Sequence, residues 1–137
     1  MSEISVEEMR EFLQREFPQG FFELEAYEGE FVLVRRRVND RDLRPGGTIS
    51  GPSMMALADC AIYVAILRRI GLVALAVTTS FNINFLRKPV AGVDLIGHCR
   101  LLKLGKNLAV AEVSIYSEGD AQPVAHATGT YSIPPTR

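Results

Sequence analysis

Between Thr48 and Leu67 the chain carries one charged residue, Asp59. A carboxylate set among apolar side chains costs several kcal/mol of desolvation unless it is paired or protonated. No cation lies within one or two helical turns of it; Arg68 is farther along. Asp59 therefore reads either as a core aspartate bonded to a backbone amide or a strand hydroxyl, or as a functional carboxylate facing a cleft. Upstream stands Ser50-Gly51-Pro52. Free N–H groups at a helix start, aided by the helix dipole, can stabilise an oxyanion developing on a carbonyl. The same residues also make an ordinary helix cap, and both readings stay open. The glycine gains significance if another group must approach the backbone closely.

Spacing links the two features. Gly51 and Asp59 are separated by about 12 Å along a helix rising about 1.5 Å per residue. One reacting carbonyl needs both groups within about 3 Å. No unbroken helix satisfies that. If both groups act, Gly51 of one subunit must meet Asp59 of another, and a two-fold dimer would hold two equivalent sites.

The segment that carries both runs from Gly51 to Arg69. Pro52 suits a first helical position, Ser50 or Gly51 the cap, and Gly71 the stop. Met54, Met55, Leu57, Ala58, Ala61, Ile62, Val64, Ala65, Ile66 and Leu67 leave no consistently polar face. That predicts a helix buried all round, which the rest of the chain must wrap. Ser5–Phe17 predicts a short amphipathic helix, with Ser5 and Glu8 as a capping box and Val6, Met9, Leu13 and Phe17 at helical spacing. Pro18 and Gly20 end it. Phe21–Tyr27 and Phe31–Val38 predict a hairpin across Glu28-Gly29-Glu30, and Asn39–Gly47 a polar loop. Leu75–Leu86 alternates, with Phe81, Ile83 and Phe85 on one face and Ser80, Asn82 and Asn84 on the other. Val93–Leu104, Leu108–Ser117 and Gln122–Ile133 follow as strands, split by Gly105-Lys106-Asn107 and Glu118-Gly119-Asp120 turns. Pro134–Arg137 reads as a tail. The economical arrangement is α+β: one antiparallel sheet of about six strands curled around the central helix. This is the layout of the hotdog fold, expected as one domain over residues 1–137.

Composition narrows the function classes. The 137 residues are 47% hydrophobic and 23% charged with a formal net charge of -1, as in an ordinary folded domain. Near-neutral charge argues against a nucleic-acid partner, which needs a basic footprint. Arg35-Arg36-Arg37 is the only three-residue basic run and reads as a solvated strand edge, with phosphate binding as the lesser reading. The acidic, polar start lacks the pattern of a signal peptide, and no apolar run reaches the roughly 18 residues of a membrane span. Cys60 and Cys99, in apolar surroundings, are too few for a disulfide scaffold, so a cytoplasmic location is expected. His98 and His126 fall in strands without a cluster at metal spacing, so no metal is expected. Ser53 lacks the second glycine of a nucleophile elbow and an identifiable partner. Cys60 points about 100° around the helix from Asp59 and reads as core packing.

Residues from about Asn39 to Ser132 resemble the phenylacetate-pathway, PaaI-like branch of hotdog-fold acyl-CoA thioesterases. The resemblance rests on Ser50-Gly51-Pro52, Met55-Ala56-Leu57-Ala58-Asp59, Asn82-Ile83-Asn84-Phe85-Leu86-Arg87-Lys88-Pro89, Ala91-Gly92 and Leu104-Gly105-Lys106, in that order and spacing. It implies hydrolysis of an acyl-CoA thioester without metal or organic cofactor, coenzyme A entering only as part of the substrate. It implies that Asp59 acts as general base or nucleophile and that the Gly51 amide forms the oxyanion hole. A hydroxyl on the next strand, Thr78 or its neighbour Thr79, would support the carboxylate or the water. The resemblance also implies a homo-oligomer, dimer or tetramer, with sites shared between subunits and no membrane partner.

Two departures from the family pattern stand out. Where the family has His-Gly-Gly this chain has Ser50-Gly51-Pro52, so the histidine and one N–H are missing. Where the family has an Asn ahead of that motif, Arg44 stands, either a positive donor or an obstruction. Ser50, Pro52 and Met55 are candidate substrate contacts, with Met54 and Phe81 as pocket or core liners. Arg87, Lys88 and Lys106, at strand ends and turns, are candidates for the ligand's phosphates. The alternative from another class is a non-catalytic acyl-CoA or lipid-binding protein on the same fold. Arg44 and Pro52 favour it; Asp59 opposes it, because an apolar acyl groove gains nothing from a buried carboxylate.

Overall fold

The computed structural model describes residues 3–17, 22–45, 47–72 and 77–133. Its elements are α1 (Val6–Glu16), β1 (Phe22–Glu28), β2 (Phe31–Arg36), α2 (Gly51–Ile70), β3 (Val77–Phe85), β4 (Leu95–Leu104), β5 (Leu108–Ser117) and β6 (Ala125–Ser132). The strands form one antiparallel six-stranded sheet in the order β1-β2-β4-β5-β6-β3. The sheet curls around α2, which is the hotdog architecture. Expected and observed elements agree in kind and order, with ends shifted by one to three residues. Phe21, Leu75, Ala76, Pro18, Gly20, Gly46 and the Pro134–Arg137 tail lie outside the described residues.

Period-two alternation explains the wrap. Ala109, Ala111, Val113 and Ile115 of β5 face inward, as do Leu95, Gly97 and Cys99 of β4 and Ala125, Ala127, Gly129 and Tyr131 of β6. Small residues dominate this concave face because the helix comes close. A Cβ on Gly97 would stand 3.6 Å from Ala61 and Leu57, and one on Gly129 would stand 2.7 Å from Ile62 Cδ1. Leu57, Ile62, Ile66 and Leu67 fill the space between, all fully buried.

Helix α1 closes the other side. Met9, Phe12 and Leu13 pack into the core, and the Phe12 and Tyr63 rings lie 6.4 Å apart. Arg10 donates to the carbonyl oxygens of Leu24 at 3.0 Å and Glu25 at 2.9 Å, and the Tyr27 hydroxyl donates to Ile4 O at 2.9 Å.

Three expectations need correction. The helix is not buried all round: Pro52, Met55 and Ala56 are exposed, because the sheet covers one side of α2 and α1 covers only its C-terminal half. The Asn39–Gly47 stretch is no plain loop. It holds a short 3-10 helix, Asp40–Asp42, and a bridge between Leu43 and Ile49, and it buries Asp42. The arginine run is no solvated edge either. Arg35 contacts Glu25, Asp94 and Glu118, Arg36 contacts Asp42, and Arg37 contacts Glu23, which leaves the Arg35 and Arg36 side chains only 12% and 13% exposed. The acids of β1 and the β5–β6 turn absorb the charge that composition alone left unpaired.

Candidate active site

Asp59 sits half-buried on α2, at the margin of the core rather than within it. Its Oδ1 accepts two hydroxyl contacts, from Thr78 Oγ1 at 2.8 Å and from Tyr131 Oη at 2.9 Å. The Tyr131 hydroxyl also lies 3.0 Å from the Asp59 backbone oxygen, so one proton is shared between two acceptors on the same residue. Asp59 Oδ2 makes no hydrogen bond among the described residues. Burial lifts the Tyr131 hydroxyl well above the ordinary tyrosine range, opposed by the Thr78 contact and reinforced by the Asp59 charge. Tyr131 therefore stays a donor.

A cavity of about 460 Å³ opens beside this carboxylate, lined by Phe17, Phe22, Ala56, Cys60, Tyr63, Val77, Thr78 and Tyr131 as well as Asp59. Its walls are mostly aromatic and aliphatic, and the carboxylate is their one charged group. Such a site suits a largely apolar group attached to a polar reacting centre. Cys60 belongs to this cavity wall as well as to the packing around α2. Burial, with the Asp59 charge adding, pushes its thiol up to about 12, so it is a poor nucleophile at neutral pH.

Strand irregularity settles which hydroxyl meets the acid. The β3–β6 register slips between Thr78 and Ser80, a bulge that re-aims consecutive side chains. Thr78 turns to Asp59, whereas Thr79 donates to Thr130 O at 3.2 Å. Regular alternation could not separate the two because alternation fails at this point.

The start of α2 lies at the far end of the helix. Ser50 is its cap, with Oγ accepting the Ser53 N–H at 3.2 Å. The Gly51 N–H has no acceptor among the described residues, and Pro52 has no N–H to offer. Close approach explains the glycine: a Cβ there would stand 3.2 Å from the Phe85 ring. Ser53, expected to lack a partner, is 7% exposed and donates to Asp42 Oδ1 at 2.6 Å. No histidine joins them.

The remaining candidates are spread out. Met54 is buried in the core, Met55 and Pro52 are exposed on the uncovered face of α2, and Phe81 is half-buried beside Gly129. Arg44 is exposed in the segment before α2. Arg87, which contacts Gln122, and Lys88 follow the end of β3, while Lys106 lies in the β4–β5 turn. Register places that turn beside Ser132 and Val77, at the opposite end of β3 from Arg87. The span is roughly 27 Å at about 3.4 Å per residue. One chain thus holds Asp59, Thr78 and Lys106 toward one end of β3 and Gly51, Phe85 and Arg87 toward the other.

Sequence reasoning did not single out Tyr131 or Asp42. Tyr131 had a signal: the inward run Ala125, Ala127, Gly129, Tyr131 buries a hydroxyl that needs a partner. Asp42 had none, since an acid in a polar loop looks solvated. Among the described residues no group of three or more His, Cys, Asp or Glu side chains is placed to hold a metal ion. Likewise no described helix is long and apolar enough to cross a membrane.

Comparison with known proteins places this geometry. The model of the Thioesterase superfamily matches residues 46–124, more than half of the chain. A Silicibacter protein described as a candidate thioesterase is 48% identical, with a TM-score of 0.89 over 96% of this chain and 93% of that one. The phenylacetic acid degradation protein PaaI of Thermus thermophilus, in a mutant form, is 26% identical, with a TM-score of 0.71 over 85% of this chain and 97% of that one. Zebrafish thioesterase superfamily member 2 shares the fold at 20% identity, with a TM-score of 0.82 over 95% of this chain and 99% of that one. A comparison with curated proteins returns no match.

Proposed function

Since this chain belongs to the Thioesterase superfamily, we propose that it hydrolyses acyl-CoA thioesters at a site shared by two copies of itself. Family membership supports thioester hydrolysis as the reaction class. The observation that carries the finer reading is the Asp59 carboxylate, with one oxygen held by Thr78 and Tyr131 and the other open beside an apolar cavity.

In this reading Asp59 Oδ2 takes a proton from water while the water oxygen bonds to the thioester carbonyl carbon. The carbonyl electron pair moves onto oxygen, where the Gly51 N–H of the second subunit receives it. Collapse re-forms the carbonyl and breaks the C–S bond. The leaving thiolate takes the proton from Asp59, yielding free acid and CoA. Direct attack by Oδ2 on the carbonyl is the variant in which Asp59 is nucleophile and water enters second. Thr78 and Tyr131 fix the carboxylate in either case, and the cavity takes the acyl group.

Shape supports the second copy. β3 pairs only with β6, carries no charge, and exposes Val77, Thr78, Thr79 and Ser80 next to the uncovered residues of α2. Antiparallel pairing of two such edges about a two-fold near Phe81 would set the Asp59 end of one chain against the Gly51 end of the other. It would also bring Arg87 and Lys88 of one chain toward Lys106 of the other, where a ligand's phosphates could lie.

The test is thiol release from acetyl-, hexanoyl-, palmitoyl- and phenylacetyl-CoA. Wild type should cleave at least one, and Asp59→Ala should abolish turnover while sparing the oligomer. The missing donor at Pro52 favours the rival reading, a binder of the same esters. Tight binding of these esters without any thiol release would establish that rival.

A further inference from the structure

Resting on this reading, the next question is what aims the Gly51 N–H. A helix normally caps itself locally. At α1, Ser5 and Glu8 close a surface capping box, each bond 3.1 Å. The start of α2 is built differently. Ser50 gives its N–H to the Asp42 carbonyl oxygen at 2.6 Å and its hydroxyl to Ser53 Oγ at 2.9 Å. Ser53 passes the line on to Asp42 Oδ1 at 2.6 Å. That oxygen also accepts Arg36 Nη2 at 2.7 Å and Nε at 3.1 Å, and Oδ2 accepts the Asn39 N–H at 3.0 Å.

Asp42 is 1% exposed. Burying a carboxylate costs several kcal/mol, and a serine cap needs no such outlay. What the carboxylate adds is direction. It can only accept, so Ser53 must donate to it. The Ser53 oxygen must then accept from Ser50, and the Ser50 oxygen is left to accept the Ser53 N–H. Every hydrogen in the chain is assigned, and the line is anchored to the end of β2 through Arg36. Gly51 comes next, with its N–H unpaired and the Phe85 ring packed against it.

We propose that Asp42 is a positioning residue for the reaction: through Ser53 and Ser50 it fixes the first turn of α2 so that the Gly51 N–H points at the reacting carbonyl oxygen. A donor displaced by about 1 Å loses much of its effect on the transition state while substrate binding elsewhere is untouched.

The experiment measures kcat and KM with hexanoyl-CoA and phenylacetyl-CoA, per folded subunit, the folded fraction coming from circular dichroism. Asp42→Asn and Ser53→Ala should each lower kcat by about tenfold to a hundredfold with KM within about twofold. The double variant should be no slower than the slower single one, and Ser53→Thr, which keeps the hydroxyl, should restore most of the rate. A kcat per folded subunit within about twofold of wild type, with only the melting temperature lowered, would reduce Asp42 to a structural role. So would additive losses in the double variant. If Asp42→Asn does not fold, Ser53→Ala and Ser53→Thr carry the same comparison. Asp59→Asn, run alongside, separates the two levels. Wild-type turnover without that carboxylate removes the hydrolase reading and this inference with it. An inactive Asp59→Asn beside fully active Asp42→Asn and Ser53→Ala removes the inference alone.

Discussion

The two edges of the sheet are finished in opposite ways. β1 carries Glu23, Glu25 and Glu28 along its length, and α1 lies against it with Arg10 bonded to the Leu24 and Glu25 carbonyl oxygens. Charge and a covering helix are the usual means of keeping an edge from pairing with another chain. β3 has neither. Its nine residues, Val77–Phe85, include no charged side chain, and most are exposed. The contrast teaches where the molecule is complete and where it is open. At the β1 edge the chain has closed its own structure. At the β3 edge it leaves apolar and hydroxyl side chains beside the carboxylate and the cavity, a surface that a second copy would cover.

Removing the chemistry at the open edge should give the largest effect. Asp59→Asn keeps size and two-thirds of the polar contacts a carboxylate can offer but cannot take the proton; turnover should fall at least about a hundredfold, the low end for losing a general base. Thiol release measures it, and light scattering should show the oligomer unchanged. Next comes the edge itself. Asn82→Lys sets like charges against each other if two β3 strands pair, so it should shift the protein to monomer and take the activity with it. The matched change at the closed edge, Glu28→Lys, should alter neither. Equal oligomer mass and equal rate for both variants would mean that β3 is not the contact.

The finished side should respond in stability rather than rate. Ile66 is fully buried in the C-terminal half of α2, away from the cavity. Ile66→Ala should cost about 2–5 kcal/mol through lost contacts and the cavity left behind. Chemical denaturation would read that loss, while kcat per folded subunit stays near wild type. A selective loss of kcat instead would show that the two halves of α2 are coupled more tightly than their packing implies.

Element types and order were legible because each rests on local periodicity. Eleven residues of α1 and twenty of α2 follow capping and stop signals, and β5 lies between the same two residues the turns predict. What was not legible depended on partners distant in sequence. The basic run at Arg35–Arg37 looked solvated because its acids come from Glu23, Glu25, Asp42, Asp94 and Glu118. Thr78 and Thr79 could not be told apart because a bulge, set by pairing with β6, breaks the alternation between them. The apolar surface of α2 pointed to complete burial, whereas a 137-residue chain covers only part of it. Gly51 carried a true signal of close approach, but the approaching group within the chain is the Phe85 ring.

The smallest expected effect is an acid-side one, and it joins the closed edge to the open one. Asp42 receives the end of β2 through Arg36 and holds the start of α2 through Ser53. Burial pushes its carboxyl up, but the Ser53 hydroxyl, the Arg36 guanidinium and the Asn39 N–H together outweigh that and hold it below the ordinary aspartate value of 3.8. A carboxyl that binds its proton less readily when folded than when unfolded contributes stability above the unfolded value and loses it as pH falls through the folded one. The melting-temperature gap between wild type and Asp42→Asn should therefore hold steady from pH 7 to about 5 and narrow below about 4. Glu112 and Glu118 are also held low, by His126 with Arg100 and by Arg35 respectively, but both remain in the variant and cancel from the difference. A gap that stays constant down to pH 3 would mean that the Asp42 charge contributes nothing and that shape alone joins β2 to α2.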